Sequence, residues 1–411
     1  MASDVRAAIA HAARHEAPRA LATLTRVLGD VGAAEDAVQD ALAIALRVWP
    51  ERGVPDEPAA WLTTTARNRA RDGWRRESRR LDKEVTAVRD RPPEPEVVLH
   101  PVADDQLRLL FTCAHPAIGP DAQLALMLRL VCGLRTDQIA RSCLVPVATV
   151  SQRLVRAKRK IRDARVPFRV PDADQLPARL PVVLAAIEQV FTRGYAPVTG
   201  GEVVDVHLCD EGRRLARLLV ELRPDEPEAL GLLALVTLQD SRRATRADTE
   251  GRLVPLSDQD RSRWDRDAIA EGLTALDRAV SLGRPGPYQL QAIVASEHAR
   301  APSFAATRWD RIVAAYDALL AATGSPVVAL NRAVAVSYGD GAAAALPLLD
   351  RLLDDRSLAT SHRLAAARAD VLERLGDAAG AVAAYDTAIL AAPAGPERAH
   401  LEERRRRLGG R

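Results

Sequence analysis

Two short segments in the front half of the 411-residue chain concentrate basic side chains. Residues 67–80 hold seven arginines against Asp72 and Glu77, and residues 153–165 hold seven lysines or arginines against Asp163. Each cationic group that contacts a phosphate releases counterions, so such clusters give affinity for a polyanion. One charge run is often only a solvated helix face. Two runs in the same half of the chain favour a nucleic-acid-binding function.

Polar and aromatic residues between these charges have the types that read bases. Asn68 can hydrogen-bond to a base edge, and Trp74 can stack on a base. Thr149, Ser151 and Gln152 lie just before the second segment, at the turns that face the major groove in a recognition helix. The predicted DNA-binding residues are Asn68, Arg71, Trp74, Arg75, Arg76, Thr149, Ser151, Gln152, Arg153 and Arg156.

An amphipathic helix is predicted just before the first basic segment, over residues 30–49. Its apolar positions are Ala34, Val38, Ala41, Leu42, Ala45 and Leu46. Its other side carries Glu35, Asp36, Gln39 and Asp40. The spacing therefore predicts a helix with one buried face and one acidic, exposed face.

The basic segments themselves are also predicted to be helical. A proline and glycine break at 50–58 precedes a helix over 59–80, and the proline-rich stretch after it reads as a linker. Helices over 136–144 and 146–164 flank a short hinge, where Thr136 can cap the first helix and Pro146 suits the first turn of the second. This pattern is typical of a helix-turn-helix.

Composition sets the fold class and excludes several functions. Aromatic residues make up 3% of the chain, whereas alanine, leucine and arginine are abundant, which favours an all-α protein of two or three units. Residues 1–170 carry a net charge of +7 and the remainder −4, so a polyanion is expected to bind the front half. The absence of a long apolar run or a leader pattern predicts a cytoplasmic protein that does not contact a membrane.

Cofactor, metal and catalytic motifs are not found in the sequence. The four cysteines fit no disulfide framework, and Cys113 with His115 lacks a second pair at zinc-like spacing. No phosphate-binding loop, HExxH motif or nucleophile elbow occurs, and the histidines are scattered. We therefore expect no cofactor, no metal and no enzymatic activity.

The rear half is predicted to be a helical repeat. Tyr338-Gly339-Asp340 and Leu375-Gly376-Asp377 each precede an alanine-rich helical stretch, at an offset of 37 residues. A helix, a turn and a second helix at this period indicate a tetratricopeptide-like array. The polar cluster 258–265 within this half is interpreted either as an ion-paired loop that locks neighbouring helices or as a ligand or partner site.

The front half resembles region 2 and region 4 of extracytoplasmic-function sigma factors. The segment AEDAVQDALAIALRVW with PAAWLTTTARNRARDGWRRESRR is similar to region 2, and LRTDQIARSCLVPVATVSQRLVRAKRKIRDAR is similar to region 4. FTCAHPAI, DQDRSRWD and GPYQLQA resemble a group of these factors with a tetratricopeptide-like extension. Ser151 stands where many relatives have lysine, so the promoter sequence does not carry over.

The resemblance implies partners and roles for individual residues. Core RNA polymerase, through its beta-prime and beta subunits, and promoter DNA are the expected partners. Asp36, Gln39 and Asp40 would contact the beta-prime coiled coil, Asn68 would lie near a captured base of the minus-ten element, and Trp61 would be structural. The helix-turn-helix would read the minus-35 element.

The resulting domain division has a regulatory part at the end. Residues 1–81 are predicted to be region 2, 82–103 a linker, 104–166 region 4, and 178–411 a helical regulatory extension. The joint over 166–177 is short, partly apolar and holds three prolines, so we expect the extension to pack against the sigma regions. The alternative is a helix-turn-helix regulator that binds an operator without docking on polymerase.

Overall fold

A computed structural model describes residues 2–81, 103–143, 145–172, 174–196, 203–358 and 361–409, without the side chains of 72–81 and of a few other helical residues. The described residues are almost entirely helical and contain no β-strand beyond one isolated bridge, which confirms the all-α prediction. The helices up to the middle of the chain are α1 Ala2–His11, α2 Ala17–Leu28, α3 Val31–Arg52, α4 Pro58–Leu81, α5 Ala103–Cys113, α6 Pro120–Leu126, α7 Thr136–Cys143, α8 Val147–Asp163 and α9 Leu176–Tyr195.

Two compact units divide the chain, one over Met1–Ala186 and one over Ile187–Arg411. The division falls inside α9, and the predicted boundaries of the regions stay predictions. The second unit continues with α10 Val206–Leu222, α11 Pro227–Asp240, α12 Arg266–Ser281, α13 Pro287–Arg300, α14 Trp309–Thr323, α15 Pro326–Gly339, α16 Ala342–Leu352, α17 His362–Arg374, α18 Ala378–Ala391 and α19 Pro396–Gly409.

The first part of the front unit is a bundle of α2, α3 and α4. Gly29 ends α2 with a φ of 70°, a conformation that glycine adopts without strain, and the side chain of Asp30 accepts from the Ala33 amide to cap α3. Trp49 is buried, and its ring meets the Trp61 ring edge-on at 5.4 Å. The expected structural tryptophan thus joins α3 to α4.

The second part of the front unit consists of α5 to α8. A π-helical turn, Met127–Val131, continues α6, and α7 and α8 form the predicted helix-turn-helix around Val145 and Pro146. The buried side of α8 consists of Val150, Leu154, Ala157 and Ile161. Their spacing leaves the opposite side of α8 open.

The two parts of the front unit pack directly on each other, α2 against α5. The guanidinium Nε of Arg26 lies 3.0 Å from both carboxylate oxygens of Asp105, a residue that is 1% exposed. The predicted linker, 82–103, lies outside the described residues except for residue 103, where α5 begins. In the joint after α8, the apolar Val166 and Phe168 are half-buried, as expected.

The rear unit is a succession of helices in which each packs on its neighbours along the chain. The two predicted repeat stretches form the pairs α15 with α16 and α17 with α18, and the Gly-Asp turns lie between the members of each pair. Close packing depends on small residues: a Cβ on Gly231 of α11 would lie 2.7 Å from the Gln289 backbone nitrogen of α13. The tetratricopeptide assignment itself stays a prediction.

A connecting segment, residues 241–265, which contains three short 3-10 turns and no α-helix, joins α11 to α12. Arg261 is 6% exposed and donates from Nη1 to the carbonyl oxygens of His298 and Ala301, at 2.5 and 2.9 Å. Trp264 is buried and donates from Nε1 to the Thr245 hydroxyl at 3.0 Å. The cluster 258–265 therefore locks neighbouring helices, as one interpretation predicted, but its buried arginine bonds to carbonyl groups and not to carboxylates.

Candidate nucleic-acid interface

The exposed side of α3 carries the predicted acidic face. Asp36, Gln39 and Asp40 are all exposed, which follows from their positions opposite the buried Ala34, Val38 and Ala41. Leu46, expected in the core, is instead 58% exposed one to two turns further along the same side. The open surface of α3 is therefore acidic at Asp36 and Asp40 and carries one exposed leucine further along, beside the exposed Arg47.

Glu35 was placed on the exposed acidic face by its spacing, and this expectation is wrong. The residue is 7% exposed, and its two carboxylate oxygens accept from Arg129 Nε at 2.7 Å and Lys158 Nζ at 2.9 Å. Burial by itself raises the pKa of Glu35, but the hydrogen bonds and charges of Lys158 and Arg129 outweigh it and lower the pKa. Glu35 thus ties α3 to α8 and to the turn after α6.

The helix α4 exposes part of the first basic segment. Asn68 and Arg71 are exposed, together with Thr64 one turn earlier, while Leu62 and Ala66 are buried on the other side. Trp74, Arg75 and Arg76 lie on α4, but their side chains lie outside the description. The structure thus brings Asn68 and Arg71 together on one open helix side.

The open side of α8 carries the second basic segment. Ser151, Gln152 and Arg156 are exposed, and Thr149 is half-buried. Arg153 is half-buried as well, and its Nη2 lies 2.8 Å from a carboxylate oxygen of Asp121 at the start of α6. Asp121 remains 74% exposed, so this ion pair is weak and screened by salt.

Two further residues lie on the open side of α8: Val155, which was not predicted, and Arg159, which belongs to the predicted basic segment 153–165. Val155 is 63% exposed, an unusual position for a valine, and lies one turn after Ser151. Arg159 is exposed one turn further on. An apolar side chain in a major groove can contact the methyl group of thymine, and a terminal arginine can contact phosphate. The helical period from Ser151 was the signal that could have found Val155.

The cysteine of the possible metal pair is an ordinary core residue. Cys113 is fully buried, and burial raises the pKa of its thiol to about 12. In the part of the chain that the structure describes, no three His, Cys, Asp or Glu residues are grouped to hold a metal ion.

Comparison with known families agrees with this arrangement of surfaces. The sigma-70 region 2 family matches residues 12–80 and the sigma-70 region 4 family matches residues 108–161, which together contain α3, α4 and α8. A probable ECF RNA polymerase sigma factor, SigI of Mycobacterium tuberculosis, is 29% identical over 178 residues, or 41% of this chain and 58% of SigI. The chain thus contains regions 2 and 4 of the sigma-70 family, and its front part is similar to an extracytoplasmic-function sigma factor.

The rear part of this sigma factor also has relatives. Residues 179–280 match a family of unknown function, DUF6596. An uncharacterized protein of Rhizobium meliloti (strain 1021) is 43% identical over 390 residues, which cover 93% of this chain and 92% of that protein. The similarity therefore covers both the sigma-70 regions and the extension of this chain. Among the described helices, none is both long and apolar enough to span a membrane.

Proposed function

We propose that this sigma factor binds core RNA polymerase through the exposed side of α3 and directs initiation at promoters that α4 and α8 recognise. The observation that carries the proposal is the joint exposure of Asp36, Gln39 and Asp40 on a helix whose other side is fully packed. An acidic side of this kind steers a basic partner and fixes its register. The beta-prime subunit, with the beta subunit, is the partner implied by the family resemblance.

DNA contact is assigned to two separate helix sides. Asn68 and Arg71 on α4 would engage the minus-ten element, together with the other basic and aromatic residues of that helix. Ser151, Gln152 and Arg156 on α8 would enter the major groove of the minus-35 element. Thr149 and Arg153 stay in the proposed set at its edge, since both are half-buried.

The operator-binding regulator is the competing function. An operator-binding regulator would use α8 to bind DNA, but this function does not explain the exposed acidic side of α3. Binding to core polymerase distinguishes the two functions, because a regulator of that kind does not require it.

The double substitution Asp36→Arg with Asp40→Arg tests polymerase binding. Both side chains are exposed, so we expect the helix to stay folded while reversed charge repels a basic partner, and affinity for purified core polymerase to fall at least tenfold. The matched control is Glu221→Arg with Asp225→Arg, two exposed acids in the rear unit with the same spacing. Retained affinity in the Asp36 and Asp40 variant, or equal loss in both variants, would remove this assignment.

A further inference from the structure

The rear unit contains a cavity of about 310 Å³ that is partly open to solvent and is bounded by α11, α13, α14, α15 and the connecting segment 241–265. A second cavity of about 270 Å³ adjoins it and shares Leu256, His298, Tyr316 and Asn331 as walls. Volumes of this size match pockets that bind small molecules. Neither cavity involves a residue of the proposed polymerase or DNA surfaces.

The walls of the larger cavity are mainly apolar and aromatic. Leu238, Trp264 and Val294 are buried, and Tyr316 and Leu319 close the side formed by α14. Besides Arg242 and His298, polar groups come from Gln239, Gln291, Ser325 and Asn331. Such a lining suits the apolar body of an organic molecule and fixes its orientation at a small number of polar points.

The charge at this cavity is positive and has no acidic counterpart. Arg242 lines the cavity; its Nη1 reaches only the Gln259 amide oxygen, at 3.5 Å, and its guanidinium lies 5.3 Å from the Tyr195 ring centroid. Arg261 lies close enough to Arg242 for their positive charges to repel each other. It donates hydrogen bonds to carbonyl and hydroxyl oxygens. In the described part of the chain, neither guanidinium forms an ion pair with a carboxylate. Arg261 is buried and Arg242 is half-buried, and an anion would offset the cost of removing their charges from water.

His298, which also lines the cavity, is affected by these positive charges. Burial, followed by the positive charges of Arg242 and Arg261, lowers the pKa of His298 to about 3. The imidazole is therefore neutral at physiological pH, and its Nδ1 has no hydrogen-bond partner among the described residues. A neutral imidazole can still donate one hydrogen bond to a bound oxygen atom.

We propose that this cavity binds a small organic anion, with its carboxylate or phosphate group against Arg242 and its apolar or aromatic body between Trp264 and Tyr316. The paired guanidinium nitrogens of an arginine match the geometry of both anionic groups. This site is distinct from the proposed sigma function, because binding needs neither polymerase nor DNA.

An extended peptide fits this site less well than a small molecule. The segment 241–265 already occupies the space beside α13 and α15, where Leu256 forms a wall of both cavities. Arg261 and Trp264 anchor that segment through the hydrogen bonds described above. A peptide would have to displace this anchored segment, whereas a small molecule needs only the volume of the cavity.

Two fluorescent probes with matched bodies test the proposal on the full chain. Anilinonaphthalene sulfonate carries an anionic group on an apolar aromatic body, and phenylnaphthylamine has the same body without the charge. We expect one site per chain, with the anionic probe bound about tenfold more tightly, as a hydrogen bond to a charged group allows. Arg242→Gln is expected to lower affinity for the anionic probe about tenfold and to leave the neutral probe unchanged.

Two control variants make the outcome decisive. Arg300→Gln removes a half-exposed arginine of the same unit that lies 3.7 Å from Asp277, and it should change neither affinity. Val328→Trp places a large side chain at the cavity wall and should abolish binding of both probes. Equal affinities for the two probes, or anionic-probe binding that survives Val328→Trp, would overturn the proposal. Loss of both probes in Arg242→Gln would overturn it too, because the arginine would then only shape the cavity.

Discussion

At the scale of single residues, the position of a side chain along α8 decides which part of the DNA it is expected to contact. Gln152 is exposed in the middle of the open side, whereas Arg159 is exposed near the end of the helix, where its nearest acid is Asp163. A recognition helix reads bases with its early turns and meets the phosphate backbone beyond them. Arg153 is less available than its sequence suggests, since it is half-buried beside Asp121.

Substitution of these residues should therefore have different consequences. Gln152→Ala is expected to cost about 1–3 kcal/mol on a cognate minus-35 element and little on a scrambled one, because a base contact is lost. Arg159→Ala is expected to weaken binding equally on both sequences and to reduce the slope of affinity against salt by about 1. Fluorescence anisotropy on both DNAs at several salt concentrations measures the difference. The assignment of Gln152 to base reading fails if its variant loses the same affinity on the two sequences.

At the scale of elements, Glu35 is the contact that joins the two sigma regions. Its carboxylate on α3 bonds to Lys158 on α8, and a second pair, Arg26 with Asp105, joins α2 to α5. Glu35 and Asp105 are buried and their basic partners are half-buried, so each acid stabilises the contact only while its partner is present. These ion pairs add to the direct packing of α2 on α5.

The substitution Glu35→Gln should reduce the free energy of unfolding of the front unit by about 2 kcal/mol, since one of the two hydrogen bonds loses its acceptor oxygen and the other loses the charge of the carboxylate. In a chain that also carries Arg129→Gln and Lys158→Gln, the same change should be neutral or stabilising, because it removes an unpaired buried charge. Urea unfolding measures this double-mutant cycle. If Trp264 and Trp309 are first replaced by phenylalanine, the three remaining tryptophans all report on the front unit.

The effect of Glu35 should also depend on pH. The pKa of Glu35 in the folded chain is lower than its usual value of 4.5, so its contribution to stability is complete above pH 4.5 and is lost as the pH falls through the lowered pKa. The stability gap between wild type and Glu35→Gln should therefore narrow in acid. A gap that is the same at neutral pH and well below pH 4.5 would contradict the role of the charge.

At the scale of the whole molecule, the open question is what the rear unit does to the sigma regions. We propose, from the short joint and the opposite net charges of the two halves, that the extension regulates promoter use within the same chain. The compact units divide between Ala186 and Ile187, so a chain ending at Ala186 is a better test than one ending before residue 178. Leu180 and Val183, which are buried, are then retained.

This truncated chain should bind core polymerase and yet give a severalfold different rate of run-off transcription in a purified system. Retained polymerase binding is the control for correct folding of the front unit. A rate equal to that of the full chain, with activity lost only in cells, would favour recruitment of another protein by the extension. That result would defeat regulation within the chain.

The sequence by itself determined the helices and their open sides. Amphipathic spacing, the Asp30 cap and the turn at Pro146 are local features, so α3, α4 and α8 could be predicted to within a few residues. The exposure of Asp36, Asp40 and Gln152 followed from the same period. The family resemblance came from these same local segments.

Only the tertiary structure decided which charged residues are exposed to solvent and which form buried ion pairs. Glu35 and Asp36 are adjacent acids, yet one is buried because Arg129 and Lys158, far along the chain, are brought beside it. The cavity next to Arg242 likewise needs four helices and a connecting segment that no local pattern brings together. Burial and ion pairing depend on long-range contacts, and helical periodicity reports only on the nearest turns.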